Sequence, residues 1–432
     1  MWLTVMDRFR WVFCQLDTLR RCMPSSIRKA LNELPATLYD TYERALERIP
    51  KEKRPHAHRL FLCLIGALRP LRAEELAELF AIDFDQGSVA NFVEGWRPEN
   101  PEGAVLSTCS TLISIIDDEG TKIVQFSHFS VEEFLTSDRL RTSEVGNIRD
   151  YYIPLDAAHT TLARACLAVL LQLDENMDKK RLGTFPLALY AAQHWVEHVR
   201  YEGVASRVQN SMEELFNPTQ SHLTSWVWIH DVDEDRNRRS IDDLTDLPAP
   251  LNGVALYYAA LCGFNGVVNY LIINHAQDIN ANSGKRGPPL HAALLFEHPE
   301  TVSLLLQHKA DVHIRSTASA KWVPLHFASC NGNANIVQLL LDHGADINAL
   351  SNTHNTPLYL ASTGGHSEVV RVLLKHGADV HIRGEDGRTP FETAILNRHG
   401  EVAQLLSEYG AEHEYRIVST WSQILYWMDG SS

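Results

Sequence analysis

Apolar positions in the C-terminal half of the chain recur with two nested periods. Within Thr356–Val380, Val369, Val370, Leu373 and Leu374 fall at helical spacing and form one apolar stripe, so a helix is predicted there. Thr356 and Pro357 start a preceding helix as its cap and first residue. Gly364 and Gly365 end that helix, Gly377 ends the second, and Ala378-Asp379-Val380 leads into an extended finger. Ala361 is small enough for the two helices to approach closely. The whole unit then repeats. Its apolar anchor recurs as Leu256, Leu290, Leu325, Leu358 and Phe391, at spacings of 34, 35, 33 and 33 residues. A unit of this kind cannot bury its apolar face alone, so neighbours must stack and at least about three are needed. Five are present.

The tetrapeptides Val323-Pro324-Leu325-His326 and Thr356-Pro357-Leu358-Tyr359, with the period of about 33 residues, resemble the ankyrin repeat. The resemblance implies a solenoid over 251–412, divided as 251–284, 285–319, 320–352, 353–385 and 386–412. Its function would be to bind a protein through its fingers and first helices. The first unit lacks both the Pro and the His, and the last carries Glu392 in place of the His, as expected of terminal repeats. An apolar tail, 413–432, follows with Tyr415, Trp421 and Trp427, and is expected to fold back onto the last repeat.

The N-terminal half also shows a helical pattern, but no repeat. Phe9–Ile49 reads as helices, the last capped by Thr37 with Leu38, Tyr42, Ala45, Leu46 and Ile49 on one face. From 58 to 140 the order is helix His58–Leu68, helix Ala73–Phe80, helix Ala104–Ile113, then a hairpin over Ile115–Phe126 around Asp118-Glu119-Gly120. That order predicts a winged helix. Ser130 and Glu133 read as a capping box for the helix after it. Thr160–Leu173 and Thr184–Val199 are two further amphipathic helices in a spacer at 141–230, and 231–250 is an acidic linker. The fold class is therefore mainly α: a helical segment, a winged-helix-like domain, a helical spacer and the solenoid.

The stretch FRWVFCQLDTLRRCMPSSIRKALNELPATLYDTYERALERI resembles the helical segment that follows the nucleotide-binding core in fungal NACHT proteins, which are signal-transducing P-loop ATPases. RPLRAEELAELFAIDF and FSHFSVEEFL resemble that family's winged-helix domain. The resemblance makes residues 1–57 a helical remnant after a NACHT core. It also places His128 where the family's His contacts the β-phosphate of bound ADP. Read from its neighbours alone, His128 is a partly buried histidine satisfied at a strand–helix junction. No G-x-x-x-x-G-K-[ST] occurs in the chain, so no cofactor and no ATP hydrolysis are expected of it.

Net charge is −15 over 432 residues, which argues against a general affinity for nucleic acid or an anionic membrane surface. The predicted recognition helix, Ala104–Ile113, holds no Lys or Arg. The seven cysteines show no C-x-x-C spacing, and a reducing cytoplasmic or nuclear setting is expected. The longest apolar run, Leu60–Leu68, is nine residues, short of the roughly 20 that span a bilayer.

Two patterns suggest metal and are outweighed. His194 and His198 lie at i, i+4 with no third ligand evident. Asp231, Asp233, Asp235, Asn237 and Asp242 match oxygen positions of an EF-hand loop, but Arg236 replaces the Gly its turn needs. No nucleophile, base and orienting acid appear in a recognisable spacing, so neither a metal nor a catalytic residue is expected.

The reading is a non-enzymatic scaffold, or alternatively the regulatory half of a NACHT-type ATPase. Its candidate contact residues are Lys285, Arg286, Arg315, Lys321, Trp322, His354, Arg383 and Arg388, all at finger tips. Six of the ten bases in 251–412 lie there, so a positive edge fitting an acidic partner face is expected.

Overall fold

The computed structural model describes residues 37–85, 89–233, 244–245, 247–248, 251, 254–317 and 320–411. The expected helices before Thr37, the tail 413–432 and EF-hand positions Asp235, Asn237 and Asp242 lie outside these. The chain forms two compact units: 1–231 with 236–249, and 232–235 with 250–432.

In the first unit Thr37 and Asp40 form a capping box for helix Leu38–Glu47, which buries Tyr42, Ala45 and Leu46 as its stripe predicts. Helix Arg54–Gly66 follows. A three-stranded antiparallel sheet holds β1 (Leu71–Arg72), β5 (Thr121–Phe126) and β4 (Ile113–Asp118) in that spatial order, with Leu71 and Ile115 both opposite Val124. The β4–β5 hairpin turns at Glu119 and Gly120, both at positive φ, where the Asp117 side chain accepts the Gly120 N–H. A small pair, β2 (Ile82–Asp83) with β3 (Asn91–Phe92), was not expected.

Two sequence expectations change here. The helix expected over Ala104–Ile113 spans Pro101–Cys109, because Asn100 caps it through the Gly103 N–H and Pro101 fits its first turn. Ile113–Ile116 are then free for the ladder with β5, where β-branched residues pack well. Second, Ser130 is not a cap. His128 holds that place: its side chain accepts the Ser130 N–H and starts helix Phe129–Leu135.

The spacer helices run Leu155–Leu170 and Ala188–Arg200, displaced from Thr160–Leu173 and Thr184–Val199, the first opening directly after Pro154. They pack on each other. Beside them, fully buried Trp195 meets Trp226 edge-on at 5.1 Å, Phe216 lies 5.8 Å from Trp226, and the Trp226 indole donates to the Ala192 carbonyl.

Among the described residues the second unit holds five helix pairs: Ala255–Cys262 with Asn265–His275, Pro289–Leu295 with Pro299–Gln307, Pro324–Cys330 with Ala334–Asp342, Pro357–Gly364 with Ser367–Lys375, and Pro390–Leu396 with Gly400–Glu408. The predicted stripe of Val369, Val370, Leu373 and Leu374 is buried, and Thr356 accepts the Tyr359 N–H at 3.1 Å. Gly365 ends its helix in the left-handed region.

One clip repeats between neighbours. His298, His366 and His399 reach back through Nε2 to the carbonyls of Leu261, Cys330 and Thr363 at 3.0, 2.8 and 3.1 Å. Each ring covers a glycine of the preceding repeat so closely that a Cβ on Gly263, Gly332 or Gly365 would lie within 2.7 Å of it. Stacking is therefore fixed by local, repeated contacts.

Candidate interaction surface

The fingers are stitched to one another in sequence. The Asp311 N–H donates to Asn280 Oδ1 and the Asp379 N–H to Asn348 Oδ1, each at 2.9 Å across one finger step. His326, fully buried, accepts the Val323 N–H through Nδ1 and bonds the Asn355 carbonyl of the next finger through Nε2 at 2.9 Å.

Of the eight candidate residues, most are engaged within the solenoid. Arg286 pairs with Asp233 at 3.3 Å, Arg383 with Glu392 at 3.1 Å and Arg388 with Asp386 at 2.7 Å. Arg315 donates to the carbonyls of Lys321 and Leu350, both at 3.1 Å, and so joins adjacent fingers. The Lys285 N–H donates to Asp233 at 2.7 Å. Lys321 and His354 are exposed, each at the left-handed turn where the last finger has Gly387. Trp322 is half-buried, edge-on to Phe327 at 5.1 Å.

The expected positive edge is thus corrected. Three of its six cations face a carboxylate within 3.3 Å, and a fourth is committed to backbone carbonyls. Beside the exposed Lys321 and His354, the fingers and first helices also expose apolar side chains: Phe296 at 38%, Leu350 at 40% and Leu396 at 59%. Arg286 lies over the Phe296 ring, 5.9 Å from its centre. Sequence reading missed these residues because scattered exposed apolar side chains carry no signature until the stack places them.

In the first unit His128 has a local role. Ser130 directs its Oγ at Nδ1 of His128 at 2.6 Å, and the Tyr42 hydroxyl reaches the same Oγ at 2.9 Å. His194 and His198 do not converge on a common point. His194 packs on the Tyr190 ring, whereas buried His198 bonds His159 through Nδ1 at 2.8 Å and the Tyr190 hydroxyl through Nε2 at 2.9 Å. The Leu68 N–H donates to that same hydroxyl, so Tyr190 ties His198 to the chain after helix Arg54–Gly66. Burial, with His159 and His194 adding to it, depresses the His198 pKa to about 3. Among the described residues no group of three His, Cys, Asp or Glu is arranged to hold a metal.

A pocket of about 740 Å³ in the same unit is lined by Lys53, His56, Arg59, Phe80 and Trp96, among others. Its cations are also committed, Arg59 to Asp85 at 3.0 Å and Lys53 to the Ser107 carbonyl at 3.1 Å. Among the described residues no helix is long and apolar enough to cross a membrane.

Comparison with known proteins agrees with this division. A family model for ankyrin repeats, in three copies, matches residues 256–351 and 325–417, and a model for the winged helix domain of GPI inositol-deacylase matches residues 42–146. The C-terminal repeats are ankyrin repeats and a winged-helix domain precedes them. A similar protein, the azaphilone pigments biosynthesis cluster protein L of Monascus ruber, is 29% identical over 296 residues. The match covers 65% of this chain and 61% of that protein, so the chain spans less than two thirds of the relative's length.

Proposed function

We propose that the chain is a non-enzymatic scaffold or adaptor that binds a partner protein through the exposed finger and first-helix surface of its ankyrin repeats. The observation that carries this reading is the stack itself. Five helix pairs satisfy one another through buried stripes and histidine clips, yet leave Phe296, Leu350 and Leu396 exposed. Exposed apolar side chains on one surface mark a place for a partner to cover, and Arg286 beside Phe296 adds a guanidinium of the kind enriched among residues that carry interface energy. The partner face fitting them is mixed apolar and polar, since paired finger cations offer little net field. The setting is cytoplasmic or nuclear, and the relative's name suggests a fungal gene-cluster context.

The test is capture from cells by full-length chain and by a Phe296→Asp, Leu396→Asp double variant. The partner should be lost with the double variant while its melting temperature stays within a few degrees. Equal capture by both proteins would move the binding surface elsewhere.

A second reading, the regulatory half of a NACHT-type ATPase, is favoured by the winged-helix match at 42–146 together with His128 at the opening of a helix. On either reading this chain supplies no P-loop. Calorimetry of the full-length protein with ATP should show no saturable micromolar binding.

A further inference from the structure

The first finger has no preceding repeat, and a residue from the linker takes that place. The fourth repeat shows the complete arrangement. A Cβ on Gly384 would lie 2.5 Å from the Tyr359 ring, so tyrosine and finger touch closely. The next N–H, on Glu385, donates to Asn355 Oδ1 of the preceding finger at 3.0 Å. The Tyr359 hydroxyl bonds the carboxylate of Asp386, two residues past the glycine.

At the first repeat Gly284 lies against the Tyr257 ring in the same way, with no room for a Cβ there. The next N–H, on Lys285, finds Asp233 Oδ2 at 2.7 Å, and the Tyr257 hydroxyl also bonds Asp233. Two residues past this glycine stands Arg286, opposite in charge to Asp386. Its Nε meets Asp233 Oδ1 at 3.3 Å. One linker carboxylate therefore does the work of Asn355 and Asp386 together. Asp233 is only 4% exposed and Tyr257 is fully buried, so this is an enclosed slot with three donors aimed at one carboxylate.

We propose that the slot formed by Tyr257, the Lys285 N–H and Arg286 is a carboxylate-recognition site, that Asp233 closes it in cis, and that an Asp-bearing acidic peptide of the partner enters by displacing the linker. This rests on the solenoid being the binding surface and names the partner chemistry for its first finger. The surrounding linker sequence is itself of that chemistry, with seven acids between Asp231 and Asp246. A tethered occupant acts at an effective concentration on the order of millimolar, which hides the site from weak ligands in the wild-type chain.

The experiment uses full-length protein and a fluorescent peptide with the sequence of residues 229–236, beside a control peptide with Asn in place of Asp233. Anisotropy should show the Asp233→Ala variant binding the acidic peptide at least tenfold more tightly than wild type does. It should also prefer that peptide to the control by tenfold, and adding Arg286→Glu should abolish the binding. Equal binding of the two peptides, or none by Asp233→Ala at millimolar peptide, overturns the proposal. Circular dichroism checks that the variant is folded. Should Asp233→Ala fail to fold, the near-isosteric Asp233→Asn is assayed in its place, and loss of folding there too makes the contact a structural joint and overturns the proposal. A failed peptide assay with intact partner capture leaves the scaffold reading standing.

Discussion

The helical packing of the first unit and the repeats of the second place their paired charges differently. In the first, Glu75 and Glu78 are 1% and 2% exposed and are held by Arg69 at 2.6 Å and Arg97 at 2.7 Å. In the solenoid, ions paired between residues close in sequence, such as Arg383 with Glu392, stay at the finger surface, and the buried carboxylate Asp233 comes from the linker. The first unit joins segments far apart in sequence: Glu78 also accepts the Leu187 N–H at 2.7 Å. Among the described residues the repeats bond their neighbours, and the first finger bonds Asp233 of the linker. Stability in the first unit should therefore rest on a few buried networks and fail as a whole, whereas the solenoid distributes it over many small, similar contacts.

Removing one partner from each kind of pair breaks or sharpens that comparison most strongly. Burial pushes the Glu78 carboxyl up, and the Leu187 N–H and Arg97 oppose it. Arg97→Ala leaves that carboxylate buried with one partner fewer, at a cost of about 3 kcal/mol. Arg383→Ala should cost below about 1 kcal/mol, since its pair is solvent-screened. Urea unfolding of the two variants measures both, and similar costs would erase the distinction.

Acid comes next, and it acts on both units. The folded pKa values of His198 and His291, depressed by burial to about 3 and about 4, lie below the usual 6.5. The unfolded chain thus binds protons first. Stability from these groups is complete above about pH 6.5 and falls as pH drops towards the folded values, by up to about 1.4 kcal/mol per pH unit for each histidine. Denaturation followed from pH 7 to 5 should show this slope, and His198→Gln should flatten it for the first unit alone.

A single clip is worth less. His366→Ala removes the bond to the Cys330 carbonyl and should lower solenoid stability by about 1 kcal/mol, read from its thermal melt. The smallest effect has the opposite sign. Lys321 sits at φ 50°, and Lys321→Gly should raise the solenoid's stability by up to about 1 kcal/mol in the same measurement.

Legibility in the sequence follows the same division. The helix pairs could be read because cap, proline, stripe and glycine all lie within 25 residues, as Thr356, Pro357, Val369 and Gly365 do. The winged helix was readable as an order of elements, yet its third helix was placed three residues late until the Asn100-Pro101 start signal was given its weight. The pairing of β2 with β3, the His159–His198 bond and the grip of Asp233 on the first finger left no local trace. Each depends on which residues the tertiary fold brings together, and no periodicity encodes that. The finger cations were expected to form a positive edge, but Arg388 and Arg383 meet acids close by in sequence, Asp386 and Glu392, and Arg286 meets Asp233 of the linker, pairings that a count of charges does not reveal.

The central claim is that the repeats of 251–412 fold as a self-sufficient stack. Expressing that fragment and following its far-ultraviolet circular dichroism on heating tests it most directly. The account predicts a helical spectrum and a cooperative melt, at a lower temperature than for a fragment starting at Ile229 that retains Asp233. A spectrum without helix and no cooperative transition would contradict it.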